Sequence, residues 1–245
     1  MNMNQIVQLV KQLTGRLSPS LYSSVVNQND AASIAFLRQL QREIKSEDVL
    51  RVPFPELQVI VFDLETTGFY PQKGDRILSI GAIKVKGDQI IWDDTFYSLV
   101  NCKEPLPVEV KELTGICDDE LAEAPSLEHI LREFYQFIKS QPLVAHHVNH
   151  EKSFMQHATW STLKMSFQHR TIDTSFLTKI VEPEKSLITL DDYCSHFGIS
   201  IEKRHHALHD AIGTAKLWTK SIRLVQKQGF FNLLDVYNHL AKYIM

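Results

Sequence analysis

Asp63 and Glu65 stand one residue apart at the end of an apolar run, Val59-Ile60-Val61-Phe62, and Thr66-Thr67-Gly68 follows them. Side chains alternate across a strand, so the two carboxylates project from the same face. Paired carboxylates at the end of a buried strand repel each other and are costly to desolvate. A shared divalent cation relieves both problems, and hard cations such as Mg²⁺ take oxygen ligands. Gly68 lets the chain turn away sharply. An isolated D-x-E is more often two solvated acids before a turn. The apolar run before this pair and the T-T-G after it favour the cation.

A second cluster is Arg204-His205-His206-Ala207-Leu208-His209-Asp210-Ala211. Leu208, Ala211, Ala215, Trp218, Ile222 and Val225 alternate spacings of three and four, the apolar face of a long helix. Asp210 immediately precedes Ala211, at the edge of that face, so its carboxylate should project toward a sheet edge rather than into bulk water. His205 lies five residues earlier, in the loop before the helix. Histidine titrates near neutral pH and can take a proton from water; a surface histidine in a His-rich loop is the plainer alternative. On the same helix Lys216, Lys220, Arg223 and Lys227 line one face. Such a stripe can meet phosphate, although a solvated helix face is the favoured reading.

These groups need a scaffold. Val59 to Phe62 reads as a central strand covered on both faces. Arg76 to Val85 holds a second strand, Lys86-Gly87-Asp88 a turn, and Gln89 to Val100 a third strand, which together predict an antiparallel meander. Beyond it helical patterns dominate. Ile130, Phe134, Phe137 and Ile138 mark one helix, Pro142 to Ala145 is a short buried strand, and residues 151–158, 174–181 and 189–197 read as short helices. A further helix is expected over 231–243. The sum is an α/β fold with a mixed sheet flanked by helices.

The first fifty residues differ in texture. Ile6, Leu9, Val10 and Leu13 share a helical face, Gly15 and Ser18-Pro19 break it, and Ile34, Leu37, Leu40 and Ile44 mark a second helix behind Asp30. Val52-Pro53-Phe54-Pro55 is a stiff, non-helical linker. Residues 1–50 are therefore expected to form an N-terminal helical extension, 57–228 the main domain, and 229–245 a C-terminal helix packing on it.

The chain has 245 residues, 44% of them apolar, enough for one core with a small appendage. A formal net charge of −3 excludes a broadly basic nucleic-acid binder. Attraction to phosphate must then come from a local patch or from bound cations. Cys102, Cys117 and Cys194 form no C-x-x-C pair and no set at zinc spacing; they read as reduced, small buried hydrophobes. No apolar run reaches membrane-spanning length and MNMNQIVQLVKQ has no signal-peptide core, so a cytoplasmic location without membrane contact is expected.

Together the two clusters resemble the DnaQ-like exonuclease superfamily in its DEDDh branch, which has a ribonuclease H-like fold and uses four acids and a histidine from three motifs. Asp63-Leu64-Glu65-Thr66-Thr67-Gly68 matches the first motif. His205 to Ala211 resembles the third, with its H-x₄-D spacing. Lys111-Glu112-Leu113-Thr114-Gly115-Ile116 resembles the T-G-I segment near the terminal nucleotide. Thr171-Ile172-Asp173-Thr174 and Leu190-Asp191-Asp192-Tyr193 resemble scaffold segments. The second motif departs. The family reads approximately V-A-H-N-x-x-F-D where this chain has Val144-Ala145-His146-His147-Val148-Asn149-His150-Glu151. Glu151 keeps the charge of the usual Asp but is longer by one bond, roughly 1.5 Å. Mg²⁺ demands near-ideal octahedral geometry, and Mn²⁺ shares its ligand class. The second metal site is thus expected to be perturbed, with a lower rate or a Mn²⁺ preference, rather than abolished.

The resemblance implies a 3′→5′ exonuclease working through two divalent cations, Mg²⁺ or Mn²⁺. Asp63, Glu65, Glu151 and Asp210 would hold them, with Asp63 bridging both, and His205 would take the proton from the attacking water. Thr66 and Thr114 match positions beside the 3′ nucleotide, and His146, matching the second-motif histidine, is a further candidate for substrate contact. The implied partner is single-stranded or 3′-end nucleic acid, DNA favoured. A proofreading role would need a polymerase, or another replication or repair protein, supplied separately. Two alternatives stand: an RNA-directed exoribonuclease, and a catalytically weak nuclease-fold module for nucleic-acid or protein binding, in which Glu151 is only a solvated acid.

Overall fold

The computed structural model of the chain describes residues 35–40, 42–44 and 48–242. The chain divides into two units, 1–40 and 41–245. In the first, residues 35–40 are helical and Leu37 and Leu40 are buried. The helix expected over Ile6 to Leu13 lies outside the described residues.

Five strands form the sheet of the second unit. They are β1 (Gln58–Thr66), β2 (Ile77–Lys86), β3 (Gln89–Leu99), β4 (Leu143–Ala145) and β5 (Thr171–Asp173), in the order β3-β2-β1-β4-β5. The first three are antiparallel neighbours, as the meander predicts, and β4 and β5 run parallel to β1. The helices are α1 (Val108–Thr114), α2 (Asp118–Glu123), α3 (Leu127–Ile138), α4 (Asn149–Ala158), α5 (Ser175–Val181), α6 (Leu190–Phe197), α7 (Ala207–Lys227) and α8 (Leu233–Ala241). α3 to α8 fall where periodicity places them. The mixed sheet flanked by helices is the ribonuclease H-like arrangement.

β1 decides where the chemistry sits. Val59 and Val61 enter a core with Ile83 and Val85 of β2 and with Ala215, Trp218, Ile222 and Val225 of α7. On the other face Phe62 meets Phe134 of α3 with ring centroids 6.1 Å apart. Continuing the series of alternate residues from Val59 and Val61 reaches Asp63 and Glu65. The face that is apolar along most of the strand therefore turns acidic at its carboxyl end. Each large side chain buried in this core stabilises by about 1.5–3 kcal/mol, and that packing pins α7 across the strand.

Gly81 permits the closest approach. It pairs with Asp63 of β1 and with Tyr97 of β3. A Cβ there would collide with the backbone of Ala207 and Leu208 at the start of α7. Glycine inside a strand often marks such an approach; here the first turn of α7 lies directly on the sheet beside Asp63.

Val52 to Pro55 is less a linker than its composition suggests. Short 3-10 turns span Val49–Arg51 and Phe54–Glu56. Phe54 is fully buried, and its N–H donates to the Phe231 carbonyl at 2.8 Å. The prolines stiffen the backbone, but the aromatic side chain between them anchors it in the core. Among the described residues no helix is long and apolar enough to cross a membrane. The three cysteines are unpaired; Cys102 and Cys194 are buried, whereas Cys117 is exposed, against expectation, at the N-cap of α2.

Candidate active site

In open α/β sheets, crevices form beyond the carboxyl ends of the strands. Here the ends of β1, β4 and β5 meet the first turns of α4 and α7. Asp63 and Glu65 come from β1, Glu151 from the first turn of α4, Asp210 from that of α7, and His205 from the loop before it. Glu65, His205 and Asp210 each offer a ligand atom, and the three atoms lie within 4.8 Å of one another. Asp63 feels Glu151, Glu65 and Asp210 together, and Glu151 also feels Glu65. Four acids remote in sequence are thus brought to one place.

They are not solvated. Glu65, Glu151 and Asp210 are 8%, 4% and 4% exposed, so Glu151 is no open helix-start acid. Burial pushes the Glu65 carboxyl up to about 7, with repulsion from Asp210 adding and attraction to Arg204 subtracting. Burial likewise pushes Glu151 up to about 8; its own backbone N–H opposes the rise, and Asp173 and Glu65 reinforce it. Asp63 keeps a partly accessible edge. Its carboxyl is nevertheless raised well above the usual range, by burial first and then by Glu151, Glu65 and Asp210. Oε2 of Glu151 and Oδ1 of Asp210 are buried without a hydrogen-bond partner. A buried carboxylate oxygen lacking a donor is unfavourable. Carboxylate oxygens carrying surplus negative charge are what a hard divalent cation satisfies, and the four acids fit such an ion.

The loops are braced from outside the acids. Val148, the N-cap of α4, has no side chain that can cap, so Asp173 does it from β5. Its Oδ2 accepts from the Val148 N–H at 2.9 Å and its Oδ1 from the Ser175 N–H at 2.8 Å. His146 donates through Nε2 to the Ile188 carbonyl at 3.0 Å, which leaves Nδ1 to accept from the Thr174 hydroxyl at 2.7 Å. Burial lowers its pKa, in keeping with that neutral form. With both ring nitrogens engaged, His146 braces the loop.

The two threonines are also committed. Thr66 Oγ1 donates to the Gly68 carbonyl at 2.7 Å, so His150 Nε2, 3.3 Å away, must be the donor toward it. Thr114 is buried; its hydroxyl donates to the Val110 carbonyl at 2.8 Å and accepts from the Ile116 N–H at 3.2 Å. Gly115, at φ 71°, then closes α1 in the left-handed conformation. The T-G-I segment is thus a helix C-cap.

The basic stripe is not an open cationic face. Lys216 Nζ donates to the Ser200 carbonyl at 2.8 Å and Lys220 Nζ to the Phe197 carbonyl at 2.9 Å, while Arg223 forks onto Asp88. The lysines serve carbonyls at and beyond the end of α6, where the helix dipole is negative. Pattern reading also passed over Gly81, Asp173 and Arg204 as participants in the site. Gly81, a glycine inside an apolar strand, carried a readable signal; the other two are set by tertiary contacts.

The RNase_T family model, described as an exonuclease, matches residues 60–218. The DNA polymerase III PolC-type protein of Bacillus subtilis (strain 168) is 34% identical over 171 residues, 69% of this chain and 12% of that protein. The PolC-type protein of Caldanaerobacter subterraneus subsp. tengcongensis is 31% identical over 181 residues, 74% of this chain and 13% of its own. A DNA polymerase III subunit epsilon-like protein of Rhodobacter capsulatus is 29% identical over 193 residues, 78% of this chain and 27% of its own. The chain spans about an eighth of the length of the PolC-type relatives. Two solved structures share the fold. The nuclease domain of 3′hExo, a DEDDh family member bound to rAMP, has a TM-score of 0.58 at 17% identity, covering 69% of this chain and 92% of that one. E. coli exonuclease I in complex with a dT13 oligonucleotide has a TM-score of 0.60 at 12% identity, covering 71% and 42%. The chain belongs to the DnaQ-like 3′→5′ exonuclease family, which generally uses divalent metal ions.

Proposed function

We propose that this chain hydrolyses the terminal phosphodiester bond at the 3′ end of nucleic acid, DNA being favoured, with two divalent cations and His205 as general base. The convergence of Asp63, Glu65, Glu151 and Asp210 beside His205, with two buried carboxylate oxygens lacking donors, carries this reading. Asp63, Glu65 and Asp210 would hold one cation and Asp63 with Glu151 the other, as Mg²⁺ or Mn²⁺. When bound, such ions neutralise phosphate charge and lower the pKa of coordinated water. His205, held at φ 57°, keeps its ring beside Glu65 and Asp210, where it can take the proton from the attacking water. Thr66 and the Thr114-to-Ile116 cap would line the terminal nucleotide through their backbone, since both threonine hydroxyls are engaged within the protein. His146 would keep that wall in place.

The names of the PolC-type and epsilon-like relatives support the preference for DNA and a polymerase or other replication or repair protein as partner. We read 57–228 as the exonuclease domain, 1–50 as an extension, and 229–245 as a C-terminal helix packed on the domain. Leu233 and Val236 join the core containing α7, which supports the last assignment.

The test is shortening of matched 5′-labelled DNA and RNA oligomers by wild type and Asp63→Ala, in Mn²⁺, Mg²⁺ or EDTA. EDTA-sensitive shortening from the 3′ end, faster on DNA, is expected in wild type. The variant should lose at least ~10²-fold. Equal activity in both proteins refutes the assigned site, and faster RNA degradation reverses the substrate preference.

A further inference from the structure

Two loops of the site hold non-glycine residues in left-handed backbone, His147 at φ 60° and His205 at φ 57°. Such residues persist only where their surroundings hold them. Both loops are tied to one place, the turn Ile188–Asp192 at the start of α6, which contributes none of the four acids. The Ile188 carbonyl accepts from Nε2 of His146 at 3.0 Å and from Nε2 of His147 at 2.9 Å. Asp191 takes the Arg204 guanidinium with both oxygens, Nε to Oδ1 at 2.6 Å and Nη2 to Oδ2 at 3.0 Å. Arg204 Nη1 then contacts Oδ2 of Asp210. The turn is itself fixed by a capping box, in which Thr189 Oγ1 accepts from the Asp192 N–H at 3.1 Å and Asp192 Oδ2 from the Thr189 N–H at 2.8 Å.

The consequence falls on Asp210. Its Oδ2 has two donors, Arg204 Nη1 and the His205 N–H at 2.9 Å, whereas its buried Oδ1 has none. One oxygen is anchored and the other is left for an ion. We propose that Asp191 and Arg204 are positioning residues for the cation site: Asp191 fixes the guanidinium, and the guanidinium fixes the Asp210 carboxylate with Oδ1 available to the metal. This rests on the divalent-cation reading above. A planar fork suits the task, because it engages two carboxylates at set angles where an ammonium could not. Two simpler accounts compete. As an ordinary surface pair, Asp191 and Arg204 would matter little. As a mere competing positive charge, Arg204 would weaken cation binding, and its removal would tighten it.

Mn²⁺ binding to the full chain without nucleic acid separates these, measured by calorimetry and by the electron paramagnetic resonance of free Mn²⁺. The proteins are wild type, Asp191→Ala, Arg204→Gln, the double variant and Asp191→Glu, each checked by thermal melting. Second-sphere partners of metal ligands contribute about 10–100-fold in affinity, so each of the first two variants should bind about tenfold more weakly. The double variant should bind no more weakly than either single one, because both interrupt one chain of contacts. Asp191→Glu should recover most of the loss. Wild-type affinity in Asp191→Ala, a residue outside the acid cluster, overturns the proposal in favour of a surface pair. Equal or tighter binding in Arg204→Gln overturns it in favour of a competing charge. Absence of Mn²⁺ binding in wild type removes the cation reading itself.

Discussion

Replacing Glu151 by glutamine should stabilise the metal-free protein at alkaline pH, although it removes a residue assigned to the cations. Glutamine keeps the shape and removes the charge. The Glu151 carboxyl stands at about 8 instead of 4.5, chiefly because it is buried. Between those pH values the unfolded chain has released this proton while the folded chain still holds it. Stability therefore falls as pH rises, by about 1.4 kcal/mol per pH unit at most. Below pH 4.5 nothing is lost, and above about 8 the loss is complete. At pH 7.5 the ceiling is roughly 4 kcal/mol, and relaxation and water entry around a buried charge reduce it to about 1–3 kcal/mol. For a chain of this length that corresponds to roughly 3–10 °C in Tm. Glu65, raised to about 7, adds a fall of the same sign over a narrower range and remains in the variant.

The assay is thermal denaturation of wild type and Glu151→Gln at pH 5.5 and pH 8, in EDTA and in Mn²⁺. In EDTA the variant should melt higher than wild type at pH 8, and the gap should shrink at pH 5.5. In Mn²⁺ the order should reverse, because an ion that binds only the folded state stabilises it in proportion to its affinity. A variant that melts below wild type in EDTA at pH 8 would refute the reasoning, since the buried charge would then be compensated within the protein.

Gly81→Ala should displace the first turn of α7, because the new methyl collides with backbone and not with a flexible side chain; a loss of about 1–3 kcal/mol and of ~10²-fold in activity is expected, and a wild-type melt with full activity would show the contact to be slack. Lys216→Met and Lys220→Met should each lower stability by about 0.3–1 kcal/mol while leaving the salt dependence of oligonucleotide binding unchanged. A drop of about one in the salt slope per lysine would instead return this face to phosphate binding. Glu151→Asp should raise the Mg²⁺-supported rate roughly threefold or more, because it restores the shorter ligand that octahedral Mg²⁺ geometry tolerates best; an unchanged rate would mean the pocket is built around glutamate.

Much of this was legible in sequence for a definite reason. β1, β2 and α7 bury long apolar faces, so their periods repeat often enough to be read, and Asp63, Glu65 and Asp210 sit at fixed phases of those periods. α1, α2 and β5 escaped because each buries a single residue, whereas the equally short α5 and β4 each bury three and were legible. The partners of the threonine hydroxyls and of the stripe lysines could not be read locally, because side-chain type does not reveal which backbone carbonyl lies within reach. The Val52-to-Pro55 segment misled similarly: two prolines announce stiffness, and nothing local says that Phe54 is buried. The bracket formed by Ile188 and Asp191 joins residues 42 and 13 positions apart in the chain. No local pattern encodes such a pairing.

The three departures in the second motif are best understood together. His147 stands where the family pattern has Asn, at a left-handed position, φ 60°. Asn and His are both enriched in that conformation, and here the Ile188 carbonyl anchors the His147 ring at 2.9 Å. His150 stands where the pattern has Phe. It keeps aromatic company, with ring centroids 5.6 Å from Phe69 and 4.8 Å from Phe154, and gains a donor toward Thr66. Glu151 stands for Asp and stays buried, within reach of the fields of Asp63 and Glu65. A site drifting free of selection for function would shed the groups that are costly to bury, and a charged Glu151 without a donor on Oε2 is among the costliest here. Each replacement instead retains the neighbours that its position requires, and burial raises Glu151 together with Asp63 and Glu65, the acids proposed to hold the ions.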